Sequence, residues 1–592
     1  MSSYWIKPNA MSQSPNRMIY LQVMALPGRL ADSQTFHCAV TRSTRRFKKT
    51  HEIAPTSVLH HLTREALWTQ VSAFTRKNDR TILVAYNLAE QLRLGQALLV
   101  LPALGWTLRR FSMHVDTAVV TWERDGAKLI MVDVKSWLPK ALSTIAELVG
   151  HPLAEQPGPA AWRGDKLSWA ESVCEVLDLS IGGLRDWIRD SDMGNWRPTG
   201  AGMAWANWRH AHYSHRVLAG GDSETTACEA ASLGSGRAEA WRYGLQDSPP
   251  YIEWDLPLAY PRVALDAILP VAFFGETFNR KLDQQLNHGD AKRTLIRATV
   301  HQDLPVLGVK DDGHWVWPVG KLQGWWWDDE LSLARTFGAD ITIERALIYR
   351  AAPVLKAWAE WIIPFIESPD SSGTALQRAA VKHWSRSLIG RFGLKYEDWR
   401  PEFVPADPGI YTAYLNDYDE NVTNRLMVVG DQTWLSNERR YSSESVPSIM
   451  SAIIAECRIR LWQLMLIAGL DHVIYVDTDS LICDQVGSDQ LAKFTAAGGG
   501  WGLRPKATHD HLEILGVRQL ITEVDRKISG VPRTAERTGP RQFDGNVTEG
   551  LSTALARDRA DVVYSPRRKF NLADTDLRRR HLENGYTAPY EL

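Results

Sequence analysis

The residues best suited to chemistry lie in a short segment between apolar stretches, HVIYVDTDSLICD at residues 472–484. The apolar side chains predict two buried strands, and Asp477-Thr478-Asp479-Ser480 between them predicts a tight polar turn. Two carboxylates at the tip of such a hairpin supply the hard oxygen ligands that Mg²⁺ prefers. With a third carboxylate from elsewhere they would suit phosphoryl transfer with two metal ions. The alternative is an ordinary Asp-rich turn, so the assignment depends on the partners of the hairpin.

A candidate third carboxylate is Asp255. It follows an apolar segment, residues 251–254, that predicts a strand, and it precedes a helix predicted over residues 262–269. A carboxylate at a strand end lies at the edge of a sheet, where it can meet the acids of the hairpin. The alternative is a helix N-terminus with a proline turn, which is a common arrangement.

Two helices are predicted in the part of the chain between Asp255 and the hairpin. The first covers residues 372–392, in which Arg378, Lys382 and Arg386 follow one another at intervals of four residues and therefore share one face. Like charges in a row repel one another unless anions bind them, so this face is a candidate cradle for a triphosphate. The alternative is a solvated basic face. The second helix, residues 446–469, is strongly apolar and leads directly into the hairpin.

The composition is that of an ordinary folded protein. The chain has 592 residues, of which 44% are hydrophobic and 23% charged, so we expect three or four domains and no long disordered part. A net charge of -1 means that any affinity for nucleic acid must come from local basic surfaces. Five scattered cysteines without a CxxC pair argue against a zinc ribbon and predict a reducing cytoplasm. The 25 tryptophans are expected to pack in cores.

The first third of the sequence alternates predicted strands and helices, which indicates an α/β domain. The strands are predicted at residues 18–24, 81–86, 119–122 and 128–134, and the helices at residues 92–104 and 138–149. A Gly- and Ser-rich stretch at residues 220–236 predicts a linker after this domain. No apolar run reaches the length of a membrane span, and we expect neither a signal peptide nor a membrane partner.

Three motifs, and the order in which they follow one another along the chain, resemble those of family B DNA polymerases, especially the small bacteriophage or mobile-element type with protein priming. The family's Tyr-x-Asp-Thr-Asp-Ser is matched in full by residues 475–480. Its Asp-x-x-Ser-Leu-Tyr-Pro is matched by Asp255 and by residues 258–261, LAYP, with Leu and Ala replacing Ser and Leu. Its Lys-x3-Asn-Ser-x-Tyr-Gly is matched by residues 382–390, where Arg386 replaces Asn and Ile389 replaces Tyr.

The resemblance implies a role for each matched residue. Asp255, Asp477 and Asp479 would hold two Mg²⁺ ions, with Mn²⁺ as a substitute. Tyr260 would lie under the sugar and exclude a 2′-hydroxyl, and Lys382, helped by Arg386 and Arg378, would bind the incoming triphosphate. The family's primer-contacting Lys-x-Tyr appears as residues 518–520, RQL. The residues expected to contact DNA are Arg237, Tyr475, Thr478, Arg518 and Lys527.

The N-terminal region resembles the family's exonuclease domain, but its acids are missing. Gln22, Met24 and Gln91 stand where the family has acids. Asp178 remains as a third acid, although Cys174 stands where the family has Tyr. Because a two-metal nuclease needs several anionic oxygens, we predict the nuclease fold without nuclease activity.

The predicted fold class is therefore α/β and α+β multidomain, with an RNase H-like exonuclease-type domain followed by a right-hand polymerase of palm, fingers and thumb. The basic segments at residues 565–570 and 576–581 are expected to follow the backbone of a DNA duplex. The predicted parts are the exonuclease-like domain (1–218), a linker with the first part of the palm (219–340), the fingers (341–400), the second part of the palm (401–510) and the thumb (511–592).

The predicted function is a DNA polymerase that adds dNTPs to a DNA 3′ end by two-metal nucleotidyl transfer, directed by a template and without 3′–5′ proofreading. We expect a monomer in the cytoplasm of a bacterial host, acting on primer–template DNA, and the resemblance allows a priming protein as a further partner. Two alternatives remain: a template-independent terminal nucleotidyltransferase, and a non-catalytic scaffold that binds nucleic acid. The scaffold is disfavoured, because acids packed together are costly without cations.

Overall fold

The computed structural model describes residues 3–592 apart from 29–32, 48–51, 78, 114–117, 159–160, 222, 280, 282–291, 369, 371, 397–398, 403, 405, 418–421, 437–439, 558, 560–561 and 573–575. Tryptophan contributes strongly to the interior, as predicted: Trp137, Trp327 and Trp462, among others, are fully buried. No helix in the described part of the chain is long and apolar enough to cross a membrane.

The first third of the chain folds around a mixed sheet. In chain order its elements are β1 (Tyr4–Trp5), β2 (Arg17–Pro27), β3 (Ser33–Arg45), β4 (Ser57–His61), α1 (Arg64–Phe74), β5 (Arg80–Ala85), α2 (Leu88–Leu94), α3 (Ala97–Ala103), β6 (Thr107–Met113), β7 (Ala118–Arg124), β8 (Ala127–Asp133), α4 (Leu142–Leu148), α5 (Arg163–Leu177), α6 (Gly183–Asp190), α7 (Gly200–Ala211), β9 (Leu218–Ala219) and α8 (Ser223–Ser232). The sheet order is β3-β2-β5-β8-β7-β6, with β2, β5 and β8 parallel. Along β2, Ile19 and Leu21 face one core while Met18 and Tyr20 face another, so both faces of the sheet are buried.

Three predictions in this region differ from the structure. The helix predicted at residues 92–104 is two helices, α2 and α3, because the chain turns at Gln96, whose φ is 49°. The helix predicted at residues 138–149 is the shorter α4. The predicted linker carries α8, whose buried Glu229 accepts a hydrogen bond from the Tyr349 hydroxyl (2.9 Å). Packing of this kind overrides the weak local signal of a Gly- and Ser-rich stretch.

The next part of the chain contains an antiparallel sheet followed by two long helices. Its elements are β10 (Ala238–Ala240), β11 (Gly244–Leu245), β12 (Tyr251–Asp255), α9 (Ala259–Asp266), β13 (Leu269–Phe278), β14 (Lys292–Gln302), β15 (Val309–Asp311), β16 (His314–Val316), β17 (Gly320–Trp327), α10 (Asp328–Thr336), β18 (Asp340–Ala352), α11 (Lys356–Glu367) and α12 (Ala375–Phe392). The sheet order is β13-β18-β14-β17, so the predicted domain boundary at residue 341 falls inside a strand of this sheet.

The next group of elements supplies three of the five strands of the central sheet. They are β19 (Lys395–Tyr396), β20 (Trp399–Pro401), β21 (Gly409–Asp417), β22 (Val422–Gly430), β23 (Gln432–Ser436), β24 (Arg440–Tyr441), α13 (Pro447–Ala468), β25 (Val473–Asp477), β26 (Ser480–Cys483), α14 (Gln485–Ala496) and β27 (Arg504–His509). The central sheet, in the order β10-β25-β26-β12-β27, draws its strands from distant parts of the sequence. Helix α13 agrees closely with its prediction and is buried almost all round, as expected for a helix that is apolar on every side.

The C-terminal part consists of small sheets. Its elements are β28 (Leu512–Gly516), β29 (Gln519–Thr522), β30 (Arg526–Ile528), β31 (Glu536–Gly539), β32 (Gln542–Asn546), α15 (Leu551–Ala556), β33 (Val563–Tyr564), β34 (Arg567–Asn571), β35 (Arg580–His581) and β36 (Thr587–Ala588). Strands β11, β28, β29 and β30 form one sheet, and β31, β32 and β34 form another. Strand β33 pairs with β3, so this part of the chain returns to the edge of the N-terminal sheet.

Candidate active site

The three predicted carboxylates meet at one end of the central sheet. Asp255 ends β12 and lies opposite Ser480, the first residue of β26. Asp477 ends β25 and also pairs with Ser480, from the strand on the other side of β26. The backbone N–H of Leu256 donates to the carbonyl of Asp479 (2.8 Å), which ties the two segments together. All three aspartates line one cavity of about 590 Å³. The fold thus brings Asp255 to two acids that follow it by more than 200 positions in the sequence.

The turn that carries two of these acids is held in a strained conformation. Thr478 has a φ of 62°, in the left-handed region that a β-branched residue rarely adopts. Its N–H donates to the carbonyl of Arg237 (2.7 Å), and its hydroxyl donates to Asp477 Oδ1 (3.0 Å). Gly236 is required beside it, since a Cβ there would lie 2.7 Å from the Thr478 side chain. Strain of this kind, about 1–3 kcal/mol, persists where the surrounding structure enforces it, typically at functional sites.

The environment of the cavity disfavours the ionised form of Asp479. Burial, with a smaller contribution from the charges of Asp255 and Asp477, raises the pKa of Asp479 to about 6, against the opposing effect of Arg386. Crowded, partly buried carboxylates are the donor chemistry that suits a hard divalent cation such as Mg²⁺.

The acids are nevertheless occupied by protein cations. Lys506 Nζ lies 3.3 Å from Asp255 Oδ1, and Arg518 Nε lies 3.4 Å from Asp477 Oδ2. Among the described residues, no group of three His, Cys, Asp or Glu side chains is arranged to hold a metal ion as it stands. Carboxylate oxygens are nevertheless the donors that suit Mg²⁺, and an ion at Asp255 or Asp477 would have to displace these two side chains or bind beside them.

Tyr260 lies on the wall of the same cavity. The chain leaves β12 through Leu258, whose φ is 56°, and enters α9 at Ala259, three residues earlier than predicted. This sharp turn places the partly buried Tyr260 near the acids, beside Arg386. Burial raises the pKa of the Tyr260 phenol to about 12, so its hydroxyl stays protonated at neutral pH.

The three cations of α12 share one face, as predicted. Thr374 begins the helix with a capping box that includes Gln377. Arg386 lines the cavity of the carboxylates, and Lys382 is exposed one turn earlier. Arg378 donates to the carbonyl of Gly373 (2.6 Å) at the start of its own helix, and neither it nor Lys382 lines the cavity. Arg386 is thus the cation of this face that is closest to the acids.

Four of the five residues expected to contact DNA line the cavity, namely Tyr475, Thr478, Arg518 and Lys527. The prediction for Arg237 is wrong. This residue is only 1% exposed and its guanidinium pairs with Glu239 (2.6 Å) between the rings of Trp317 and Trp462. Its contribution to the site is its backbone carbonyl, which holds the turn at Thr478.

The two basic segments near the C-terminus also contain both exposed and buried cations. Arg567, Arg568 and Lys569 are exposed on β34, where a DNA backbone could reach them. In the segment at residues 576–581, Arg579 is instead buried and pairs with Glu239 (3.2 Å). The expectation that all of this segment follows a duplex is therefore wrong for Arg579, because a buried acid distant in sequence captures the side chain.

Sequence reasoning missed a second set of charged residues at the acids. Glu253 lies two positions before Asp255 and, because side chains alternate along a strand, points to the same side of the sheet. A hydrogen bond with His509 lowers the pKa of Glu253 to about 2, against the effect of burial, and Lys506 contributes in the same direction. The alternation in YIEWD was the available signal for Glu253, whereas Lys506 and His509 come from β27 and carried no local signal.

A second cavity, of about 660 Å³, is lined by arginines from three parts of the chain. Arg109 and Arg110 come from β6, Arg391 from the end of α12 and Arg425 from β22. Arg391 pairs with Glu444 (2.6 Å). The cavity thus concentrates positive charge on a protein of nearly neutral net charge. The sequence did not indicate this cavity, because its arginines come from elements that are far apart in the chain.

The residues that stand in place of the exonuclease acids are packed in the interior of the domain. Gln22, Met24 and Gln91 are buried, and the Gln91 side-chain carbonyl accepts a hydrogen bond from the N–H of Val23 (2.6 Å). Asp178, in a wide turn at the end of α5, pairs with Arg42 (2.9 Å). Cys174 is buried nearby, with its thiol against the carbonyls of Tyr20 and Val40.

Comparisons with known proteins identify the fold. No family model matches the sequence, and no match is found among curated proteins. The structure is similar to phi29 DNA polymerase in complex with primer-template DNA and incoming nucleotide substrates: the TM-score is 0.65 at 12% identity, over 94% of this chain and 100% of that one. The same polymerase with single-stranded DNA gives a TM-score of 0.61 at 11% identity, with the same coverage. The predicted fold class is confirmed: the chain has the multidomain fold of family B DNA polymerases, with an exonuclease-type domain followed by palm, fingers and thumb.

Proposed function

We propose that this protein is a DNA polymerase that adds dNTPs to a DNA 3′ end by two-metal nucleotidyl transfer, directed by a template and without 3′–5′ proofreading. One observation carries the proposal: Asp255, Asp477 and Asp479 line a single cavity together with Tyr260 and Arg386, at the end of the central sheet of a polymerase fold.

The residues in and near the cavity have separate roles in the proposed reaction. Asp255, Asp477 and Asp479 would hold Mg²⁺ or Mn²⁺, which when bound would neutralise charge on the attacking primer 3′-oxygen and on the leaving pyrophosphate. Arg386, with Lys382 one turn away on the same helix face, binds the triphosphate. The ring of Tyr260 limits the space beside the sugar. Arg518 and Lys527, from the C-terminal sheet, line the same cavity, and there their cations would contact the primer backbone.

The electrostatics disfavour the alternative of a non-catalytic scaffold. Folding places Asp479 where burial and two neighbouring carboxylates raise its pKa to about 6. Ionisation of that group in the folded state therefore costs stability at neutral pH unless a cation binds. A protein that only bound nucleic acid would gain nothing from three such acids at one point.

A primer-extension assay tests the proposal and separates it from its alternatives. The full-length protein is incubated with the four dNTPs and Mg²⁺ on a recessed primer–template, a blunt duplex and a single strand. We expect extension of the recessed primer to the end of the template and negligible addition to the other two. Equal addition to all three substrates would show a template-independent transferase. DNA binding without incorporation on any substrate would favour the scaffold.

We also expect no 3′–5′ exonuclease activity. A 5′-labelled single strand should stay intact in Mg²⁺ or Mn²⁺, and a mismatched primer end should remain uncut, because buried Gln22, Met24 and Gln91 offer no anionic oxygen to a metal ion. Degradation that persists in the Asp255→Ala variant but disappears in Asp178→Ala would show that the exonuclease positions are assigned wrongly.

The arginine-lined cavity supplies a prediction about the nucleic-acid partner. Replacement of Arg110 by alanine should weaken binding of single-stranded DNA about two- to fivefold and reduce the salt dependence of binding by about one ion, because one phosphate contact is lost. Fluorescence anisotropy at several salt concentrations measures both quantities. Arg76→Ala is the matched control, since Arg76 is exposed on the same domain but does not line the cavity. An equal effect of both substitutions would contradict a specific role for the cavity.

A further inference from the structure

Lys506 reaches the acids through an irregularity in the sheet. Strand β27 pairs with β12 so that Trp254 lies opposite Pro505 and Glu253 lies opposite Ala507. Lys506 is therefore the extra residue of a β-bulge. Bulges redirect side chains and are common beside active sites. This one turns the Lys506 side chain toward Glu253 and Asp255.

The ammonium of Lys506 is held in place by more than Asp255. It donates to Glu253 Oε1 (2.8 Å) as well as approaching Asp255 Oδ1 (3.3 Å). Glu253 is only 7% exposed, and His509 Nε2 lies 3.4 Å from its other carboxylate oxygen. His509 Nδ1 in turn lies 3.5 Å from Glu523 Oε1. A buried, fixed glutamate thus anchors the lysine beside a carboxylate that the proposed reaction needs for metal.

A lysine and a divalent cation compete for the same charge. An ammonium beside Asp255 balances the carboxylate, and a cation that binds Asp255 must either displace it or tolerate its repulsion at short range. We propose that Lys506 is a built-in counter-cation of the metal site, which competes with divalent ions for Asp255. The free protein then binds Mg²⁺ or Mn²⁺ weakly, and metal fills the site mainly when a triphosphate brings further negative charge. This inference rests on the metal site of the proposed function.

Direct measurement of metal affinity tests the inference. Electron paramagnetic resonance reports free Mn²⁺ in titrations of the full-length protein without DNA or nucleotide. Lys506→Met removes the charge but keeps most of the side-chain stem, and it should tighten Mn²⁺ binding about tenfold because the competing cation is lost. Lys506→Arg keeps the charge and should stay within about twofold of the wild type. Addition of Asp255→Asn to Lys506→Met should abolish the gain.

Lys527→Met is the matched control for the general electrostatic field. Lys527 lines the same cavity, but in the described part of the structure its ammonium is not hydrogen-bonded to Asp255. Its removal should change Mn²⁺ affinity by less than about twofold. An equal gain from Lys527→Met, or unchanged or weaker binding in Lys506→Met, would overturn the inference. Lys506 is half-exposed, so Lys506→Met should fold normally, and circular dichroism checks this.

Primer extension by the same variants separates this inference from the proposed function. Tighter Mn²⁺ binding in Lys506→Met, with no extension by any form of the protein, would support the counter-cation and refute the polymerase. Extension by the wild type, with Mn²⁺ affinity unaltered by Lys506→Met, would refute the proposed role of Lys506 and support the proposed polymerase activity.

Discussion

Replacement of Asp479 or Asp255 by alanine should abolish nucleotide incorporation while the fold and DNA binding remain nearly intact. Each aspartate supplies anionic oxygen to the proposed metal site, and the loss of several kcal/mol of charge stabilisation corresponds to a rate reduction of about 10³-fold or more. Single-turnover incorporation on a recessed primer measures the effect. DNA affinity, measured by anisotropy, should change little because neither carboxylate donates a hydrogen bond to phosphate.

The stability of the Asp479→Ala variant provides an independent check. The pKa of Asp479 is raised in the folded protein to about 6, so the unfolded chain ionises at a lower pH than the folded protein does. The cost to stability therefore grows as the pH rises toward 6 and is fully present above it. In metal-free buffer at pH 7 the variant should therefore unfold at the same temperature as the wild type or higher. A lower melting temperature would indicate that Asp479 has a structural role.

A matched substitution distinguishes the proposed ligands from acids that merely lie nearby. Asp525 lines the same cavity, but its carboxylate accepts from the N–H of Arg526 (2.8 Å) and lies 3.8 Å from Arg533. Asp525→Asn should keep most of the incorporation rate. Normal extension by Asp479→Ala or Asp255→Ala would refute the assignment of the metal site.

The parts of the site that were predictable depend on local sequence. The hairpin with Asp477 and Asp479 is encoded by two apolar runs around four polar residues, and its two strands are adjacent in the chain. The stripe of Arg378, Lys382 and Arg386 follows from helical periodicity alone. In both cases the residues that decide the structure lie within a few positions of one another, so periodicity is sufficient.

The parts that were missed depend on contacts between distant residues. Arg237 carries a charge that suggests an exposed position, yet Glu239, Arg579 and two tryptophan rings enclose it in a buried network. Lys506 reaches Asp255 only because of a β-bulge between strands about 250 residues apart in sequence. Neither burial of a charged pair nor the register of a non-local strand pair has a signature in the local sequence.

The second large effect concerns the choice of sugar. Tyr260→Ala should reduce the preference for dNTPs over rNTPs about 10- to 200-fold, the range that a pocket typically gains from excluding one small group. The physical reason is volume: the ring of Tyr260 stands on the cavity wall close to the acids, and its removal opens space beside the sugar for one more oxygen. Competition between dNTPs and rNTPs in a primer-extension assay measures the ratio of kcat/KM for the two substrates.

A ratio is the appropriate quantity because Tyr260 also packs against the main core, so its loss will lower stability and overall rate. A general loss of activity affects both substrates and cancels in the ratio. Tyr260→Phe is the matched control: it keeps the ring and removes only the hydroxyl, so discrimination should remain as in the wild type. If Tyr260→Ala leaves the ratio unchanged, the ring is not the barrier. If Tyr260→Phe lowers the ratio as much as Tyr260→Ala does, the hydroxyl carries the discrimination and the argument from volume fails.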